Sequence, residues 1–435
     1  MTTRQPTSSA PANQPCHLLT LAVVSLLAGA GAGLLGALFR LSLIEADHFR
    51  ESVISQAQSL GSIGLPIVVA SCALATALAA WLVKKVSPEA SGSGIPHVEA
   101  VLNEELPPTG VKLIPVKFVG GLLAIGSGLA LGREGPTVQM GASFSHLVGR
   151  TLGLNAIDNR SLLAAGAGAG LATAFNAPIA GAIFVLEELV RRFDTRITVA
   201  TFGASAGAIT VARLLIGDRP DFQVEMLPFP TSAEVGACLV LGSILGMLGV
   251  AYNQAILGAI KISKRFDKLP AELQAVTIGG AVGLLAWYAP DIVGGGDSIT
   301  QNALALKTVA FMLPLAFLIR FALGAVSYAA ATPGGLFAPM LVLGAQAGLM
   351  FGNLCNTWLP TMAMNTTIFA VTAMAGFFTA VVRAPLTGII LVIELTGSYT
   401  QLLPMLAVCF SAMIVPTLWN NPPIYDSLKP ASMEQ

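Results

Sequence analysis

Gly132-Arg133-Glu134-Gly135-Pro136 is answered, far along the chain, by Gly334-Gly335-Leu336-Phe337-Ala338-Pro339. Each stretch is a glycine-rich break inside a long apolar region, and each ends in a proline suited to the first turn of a helix. Lipid offers backbone groups no hydrogen bonds, so irregular backbone at membrane depth survives only where it is buried or lines a cavity. Broken helices whose N-termini point inward turn backbone N–H groups and helix dipoles into anion sites. The first break also carries Glu134, a carboxylate where a carboxylate is costly. Together the breaks predict passage of an anion through a membrane, with Glu134 gating or coupling it.

Composition agrees with a membrane setting. Of 435 residues, 54% are hydrophobic and 11% charged, with no formal net charge. Soluble domains carry about a quarter charged residues. Charge balance argues against nucleic acid as a partner and against a polybasic role at a membrane surface. The five cysteines (Cys16, Cys72, Cys238, Cys355, Cys409) are scattered, with no CxxC, so neither a disulfide framework nor a zinc site is expected. Apolar runs recur from Leu18–Phe39 to Leu403–Leu418. Their mixed lengths predict tilted and partly penetrating helices rather than a countable set of full crossings. The polar residues 1–17 read as a short N-terminal tail and residues 426–435 as a short C-terminal one.

An internal repeat divides the rest. Ala177-Pro178-Ile179-Ala180-Gly181-Ala182-Ile183-Phe184-Val185-Leu186-Glu187 aligns with Ala384-Pro385-Leu386-Thr387-Gly388-Ile389-Ile390-Leu391-Val392-Ile393-Glu394, identical at six of eleven positions. The two prolines lie 207 residues apart (385 − 178), close to the separation of the glycine breaks. The expected repeats run from about residue 18 to 225 and from about 230 to 425, with a site at their interface. The alignment alone leaves their relative orientation open.

Gly92-Ser93-Gly94-Ile95-Pro96 is a third break of the same chemistry, with a hydroxyl that can donate to an anion. In order, GSGIP at 92–96, GREGPTVQ at 132–139 and GGLFAP at 334–339 resemble the CLC family of chloride channels and chloride/proton antiporters. The likeness also takes in FNAPIAGAIFVLEE at 175–188 and RAPLTGIILVIELT at 383–396, and is nearest the bacterial exchanger branch without CBS domains. The resemblance implies an all-α polytopic fold of two inverted repeats of tilted and broken helices, in a homodimer with one pore per subunit, in a bacterial inner membrane. It implies proton-coupled chloride antiport, with chloride and protons as substrates, no cofactor, no metal and no enzymatic chemistry.

Residue by residue, Ser93 and Tyr425 match the hydroxyls that coordinate the central chloride. Leu336 and Phe337 match the positions whose backbone amides face that ion. Glu134 matches the external gating glutamate and Glu188 the internal glutamate that relays protons. Gly92, Gly94, Ile95, Pro96, Gly132, Arg133, Gly135, Pro136, Gly334 and Gly335 complete the backbone motifs. His97 departs from the pattern, because the position after GSGIP is commonly acidic.

Each assignment has a competitor. Glu134 could instead form a structural ion pair with adjacent Arg133. For Glu187 and Glu188, the alternative is snorkelling to the interface beside Arg191 and Arg192. Glu187 pairs with Glu394 in the repeat whereas Glu188 pairs with Leu395, so Glu187 is expected to be architectural and Glu188 to serve an asymmetric proton route. At the level of function, the rivals are a passive, pH-gated chloride channel on the same scaffold and, more remotely, an intramembrane hydrolase using Ser93 and His97.

Overall fold

The computed structural model describes residues 16–266 and 269–433. The expected N-terminal tail therefore lies almost wholly outside the described residues. Among the described residues the regular structure is helical, broken by short loops. Seven helical segments among the described residues are long and apolar enough to cross a membrane.

Two sets of eight helices follow one another in matching order. The first set is α1 (Leu18–Ser59), α2 (Gly64–Val86), α3 (Ile95–Leu102), α4 (Leu113–Gly126), α5 (Glu134–Thr151), α6 (Ala156–Phe175), α7 (Pro178–Phe184) and α8 (Thr195–Ile216). The second is α9 (Ser232–Arg265), α10 (Ala271–Tyr288), α11 (Asp297–Leu304), α12 (Leu313–Tyr328), α13 (Phe337–Trp358), α14 (Thr366–Val382), α15 (Pro385–Thr396) and α16 (Leu402–Leu418). Packing repeats along with order. α1 lies on α8 as α9 lies on α16, and α5 on α6 as α13 on α14. After them, α17 (Ile424–Met433) turns the expected C-terminal tail into a helix that begins at the residue before Tyr425.

Small residues bring the long helices together, as expected where apolar side chains gain nothing by leaving lipid. A Cβ on Gly29 or Gly33 of α1 would collide with the backbone of Ala204 or Ala208 on α8. In the second repeat, Gly242 and Gly246 of α9 meet α16 at Val408 and Val415 with the same four-residue spacing. Helices α6 and α14, equivalent in the two repeats, are buried along almost their whole length and form the shared interior.

The orientation left open by the sequence follows from two carboxylates. Glu187, just past α7, accepts from the N–H groups of Leu386 and Thr387 at 3.0 and 2.7 Å, at the start of α15. Glu394, near the end of α15, accepts from Ile179 and Ala180 at 3.1 and 2.8 Å, at the start of α7. Each helix thus ends where its equivalent begins, so the pair is antiparallel. A two-fold axis relating antiparallel membrane helices lies in the membrane plane, and the repeats are inverted.

Each of these glutamates satisfies two N–H groups that a helix start leaves without a partner. Glu187→Ala and Glu394→Ala are each expected to cost about 1–3 kcal/mol. The check is a lower thermal unfolding midpoint in detergent for both. Unchanged midpoints would remove the caps from the account.

Candidate functional site

Glycine geometry joins the three breaks. Gly94 caps the start of α3 at φ +81°, in the left-handed region that residues with a Cβ rarely adopt. The Gly334 N–H donates to Gly92 O at 3.0 Å, while Gly132 and Gly335 exchange N–H···O bonds at 2.8 and 2.7 Å. A Cβ on Gly135 would lie 2.6 Å from Ser93 O and 2.8 Å from Ser93 Oγ. The starts of α3, α5 and α13 therefore meet at one point, although their sequences are far apart.

Glu134 and Phe337 are the first residues of α5 and α13, so the helices begin where the breaks end, with Pro136 and Pro339 in their opening turns. Ile95 opens α3 and Pro96 follows it. Glu134 is fully buried, and its Oε1 accepts from Phe337 N–H at 2.7 Å. A Cβ on Gly335 would overlap that same oxygen, so the close approach depends on glycine. Glu134 Oε2 has no hydrogen-bond partner among the described residues. A carboxylate at the start of a neighbouring helix uses donors that any other anion at that place would need.

Arg133 does not form the ion pair considered for it. Its guanidinium turns away to Asp221, at 2.8 Å, and to Asp297. Leu336, the residue capping α13, is fully buried beside Phe337. The Phe337 ring packs against Phe378, Phe184, Phe175 and Tyr425, with centroids 4.6 to 6.2 Å apart. Tyr425 stands in the first turn of α17, and its hydroxyl, like that of Ser93, is buried without a hydrogen-bond partner among the described residues. Two buried hydroxyls without a partner are costly unless something accepts from them. A cavity of about 300 Å³ reaches Ser93 past Ser91, His97 and Lys264.

The second acid is held apart from this point. The chain leaves α7 through a five-residue π turn, Val185–Leu189, closed by Val190 N–H on Val185 O at 2.8 Å. Such turns redirect side chains and are frequent at functional sites. Here Glu187 caps α15 while Glu188 is buried, 3.7 Å from Arg191. Arg191 also lies 2.6 Å from Asp426 and 3.9 Å from Glu99. Glu188 is only 3% exposed, so it does not snorkel.

Two residues beside the site were not singled out from the sequence. Tyr328 accepts from Ser93 N–H at 3.3 Å. Lys117 is fully buried and donates to Ala90 O and Gly92 O at 3.0 and 2.8 Å, holding the break before Ser93. A lone cation within the apolar run 113–126 was the available signal for Lys117. Tyr328 had none, since an aromatic at the end of an apolar run is unremarkable in sequence.

Residues 75–417 match the family described as voltage gated chloride channel. The chain is 37% identical over 414 residues to the H(+)/Cl(−) exchange transporter ClcA of Vibrio cholerae, covering 93% of this chain and 88% of that protein. It is 34% identical over 417 residues to the transporter of the same name from Citrobacter koseri, covering 94% and 87%. In three dimensions it is similar to a slow cyanobacterial Cl−/H+ antiporter, with a TM-score of 0.90 at 29% identity, covering 95% of this chain and 98% of the other.

Proposed function

Because this chain belongs to the voltage-gated chloride channel family, we propose that it is a proton-coupled chloride antiporter, exchanging Cl− for H+ across a bacterial inner membrane. It works as a homodimer with one pore in each subunit. The observation that carries the reading is Glu134 Oε1 on the Phe337 N–H, a carboxylate lodged at the start of an inward-pointing broken helix. Chloride and the carboxylate compete for the same donors because both are anions. Protonation removes the charge from the carboxyl and with it the claim on the site, so chloride and proton alternate in one pocket.

The chloride site consists of the Ser93 and Tyr425 hydroxyls and the backbone amides of Leu336 and Phe337. The glycines, Ile95, Pro96, Arg133 and Pro136 of the three breaks hold those donors in place. Chloride reaches Ser93 from the inner side through the cavity past His97. Protons take another route, because a path lined by positive helix ends repels them. Glu188, offset from the anion cavity by the π turn, is the acid on that route. A passive channel on the same scaffold would have no use for a second buried acid at this position. The hydrolase alternative lacks its dyad, since neither Ser93 Oγ nor His97 Nε2 has a hydrogen-bond partner among the described residues.

Ser93→Ala and Tyr425→Phe each delete one donor to a dehydrated anion, worth about 1.5–3 kcal/mol for a charged acceptor. Chloride affinity is expected to fall about tenfold or more in each variant, with looser coupling of protons. Calorimetric titration of the double variant is the check. Unchanged affinity would remove the side-chain half of the site.

A further inference from the structure

The two mouths of the proposed path are lined by different charged residues, Glu89 and Lys264 at one and Arg40, Arg133, Asp221 and Asp297 at the other. The inner one, next to α17, opens through the cavity lined by His97, Lys264 and Leu428. Helix α8 starts near Arg191 and runs 22 residues, about 33 Å, to Ile216. The loop after it, 217–231, therefore lies on the opposite side of the membrane from Glu188. That loop is pinned: Phe222 N–H donates to Leu395 O at 2.9 Å, Gln223 N–H to Gln301 Oε1 at 2.9 Å, and Asn176 Nδ2 to Arg219 O at 2.9 Å.

Pinning places Asp221 between two guanidiniums. Its side chain is 5% exposed and accepts from Arg40 Nη2 at 2.7 Å and from Arg133 Nη2 at 2.8 Å. Arg133 also reaches Asp297, whose side chain is 51% exposed. Arg133 stands 5.9 Å over the Phe175 ring, which stacks on Phe337 at 6.2 Å. The cluster is thus one aromatic layer from the amide that holds Glu134. Two carboxylates cancel two guanidiniums. Arg40 Nε and Nη1 nonetheless stay buried with no hydrogen-bond partner among the described residues, so donors remain in excess of what Asp221 accepts.

We propose that Asp221 sets the chloride affinity of the outer mouth by masking the charges of Arg40 and Arg133, an inference that rests on the proposed chloride transport. Fixed charge at a narrow mouth changes the local concentration of an approaching ion. Removing Asp221 leaves the cluster at +1, and removing Arg40 leaves it at −1. The two changes act on one quantity with opposite signs, whereas loss of a purely structural pair would impair transport in both.

The experiment uses right-side-out membrane vesicles from cells producing the full chain, with outside chloride varied against gluconate. Asp221→Asn is expected to lower the half-saturating outside chloride about threefold and Arg40→Gln to raise it by a similar factor, both shifts shrinking as ionic strength rises. Asp297→Asn, at a half-exposed position, is expected to shift it downward as well. If Asp221→Asn fails to fold, the opposed shifts of Asp297→Asn and Arg40→Gln carry the test. Shifts in one direction, or none while the parent transports, would overturn the inference. A parent that carries chloride without protons would overturn only the exchange reading. One that carries no chloride would overturn both.

Discussion

Glu134→Gln is expected to leave chloride flux running, nearly independent of pH, and to reduce proton movement to the background of empty vesicles. The reason is local. Glu134 Oε1 lies 2.7 Å from the Phe337 N–H, in a place with no room for a Cβ on Gly335 and no competing cation. Arg133, the adjacent cation, is committed to Asp221, Asp297 and Ala174 O. Glutamine keeps the shape of the protonated carboxyl but can neither carry a negative charge nor pass on a proton. Glu134→Ala should behave alike toward protons, with no side chain in the anion's place. Persistent pH-dependent exchange in Glu134→Gln would show that coupling resides elsewhere.

Glu188→Gln is expected to abolish proton transport while chloride flux continues, because its charge is no part of the anion site. The fold around it should persist. Arg191 keeps Asp426 at 2.6 Å, and its Nε still donates to the backbone oxygen of residue 188 at 3.2 Å. Glu187→Gln should retain proton transport, with any loss appearing in folding or yield, since Glu187 sits on the start of α15. In the double variant with Glu134→Gln, no further proton loss is expected, because two acids in series fail together. The measurement is pH and chloride efflux recorded in parallel from the same vesicles. Protons pumped by Glu188→Gln but not by Glu187→Gln would reverse the assignment of the two acids.

Much of this arrangement could be read from the chain because its parts are local. A glycine-rich break with a proline at its end marks a helix start wherever it occurs, and α3, α5 and α13 begin at the three predicted places. The pairing of Glu187 with Glu394 across the repeat marks both as architectural, and the two side chains cap each other's helices reciprocally. Glu188 and Leu395, unpaired in type, have no such relation. Family resemblance supplied what the residues alone left open, namely the inversion of the repeats. Their antiparallel caps derive it independently.

What escaped the sequence depends on contacts between distant segments. Asp221 lies in a polar loop of ordinary composition, and nothing nearby signals that Arg40 and Arg133 converge on it. The π turn at Val185–Leu189 adds no unusual residue, yet it sets the relative direction of Glu187 and Glu188, which an α-helical reading would have spaced by about 100°. In the sequence Tyr425 stands at the edge of a tail, because only ten mostly polar residues follow it. They are helical as far as Met433, and Asp426 ties that helix to Arg191 near Glu188. The hydroxyl proposed to close the anion site and the acid proposed to relay protons are thereby linked through Arg191, which pairs with both Asp426 and Glu188.

Exchange is tested most directly with purified protein in vesicles that hold a chloride gradient, start with equal pH on both sides, and have their voltage clamped by potassium and valinomycin. Antiport predicts that chloride leaving the vesicles draws protons in, so that the lumen acidifies against the gradient being built, and that the acidification collapses when an uncoupler is added. Chloride efflux with no movement of protons under the same clamp would contradict the account and make the protein a channel.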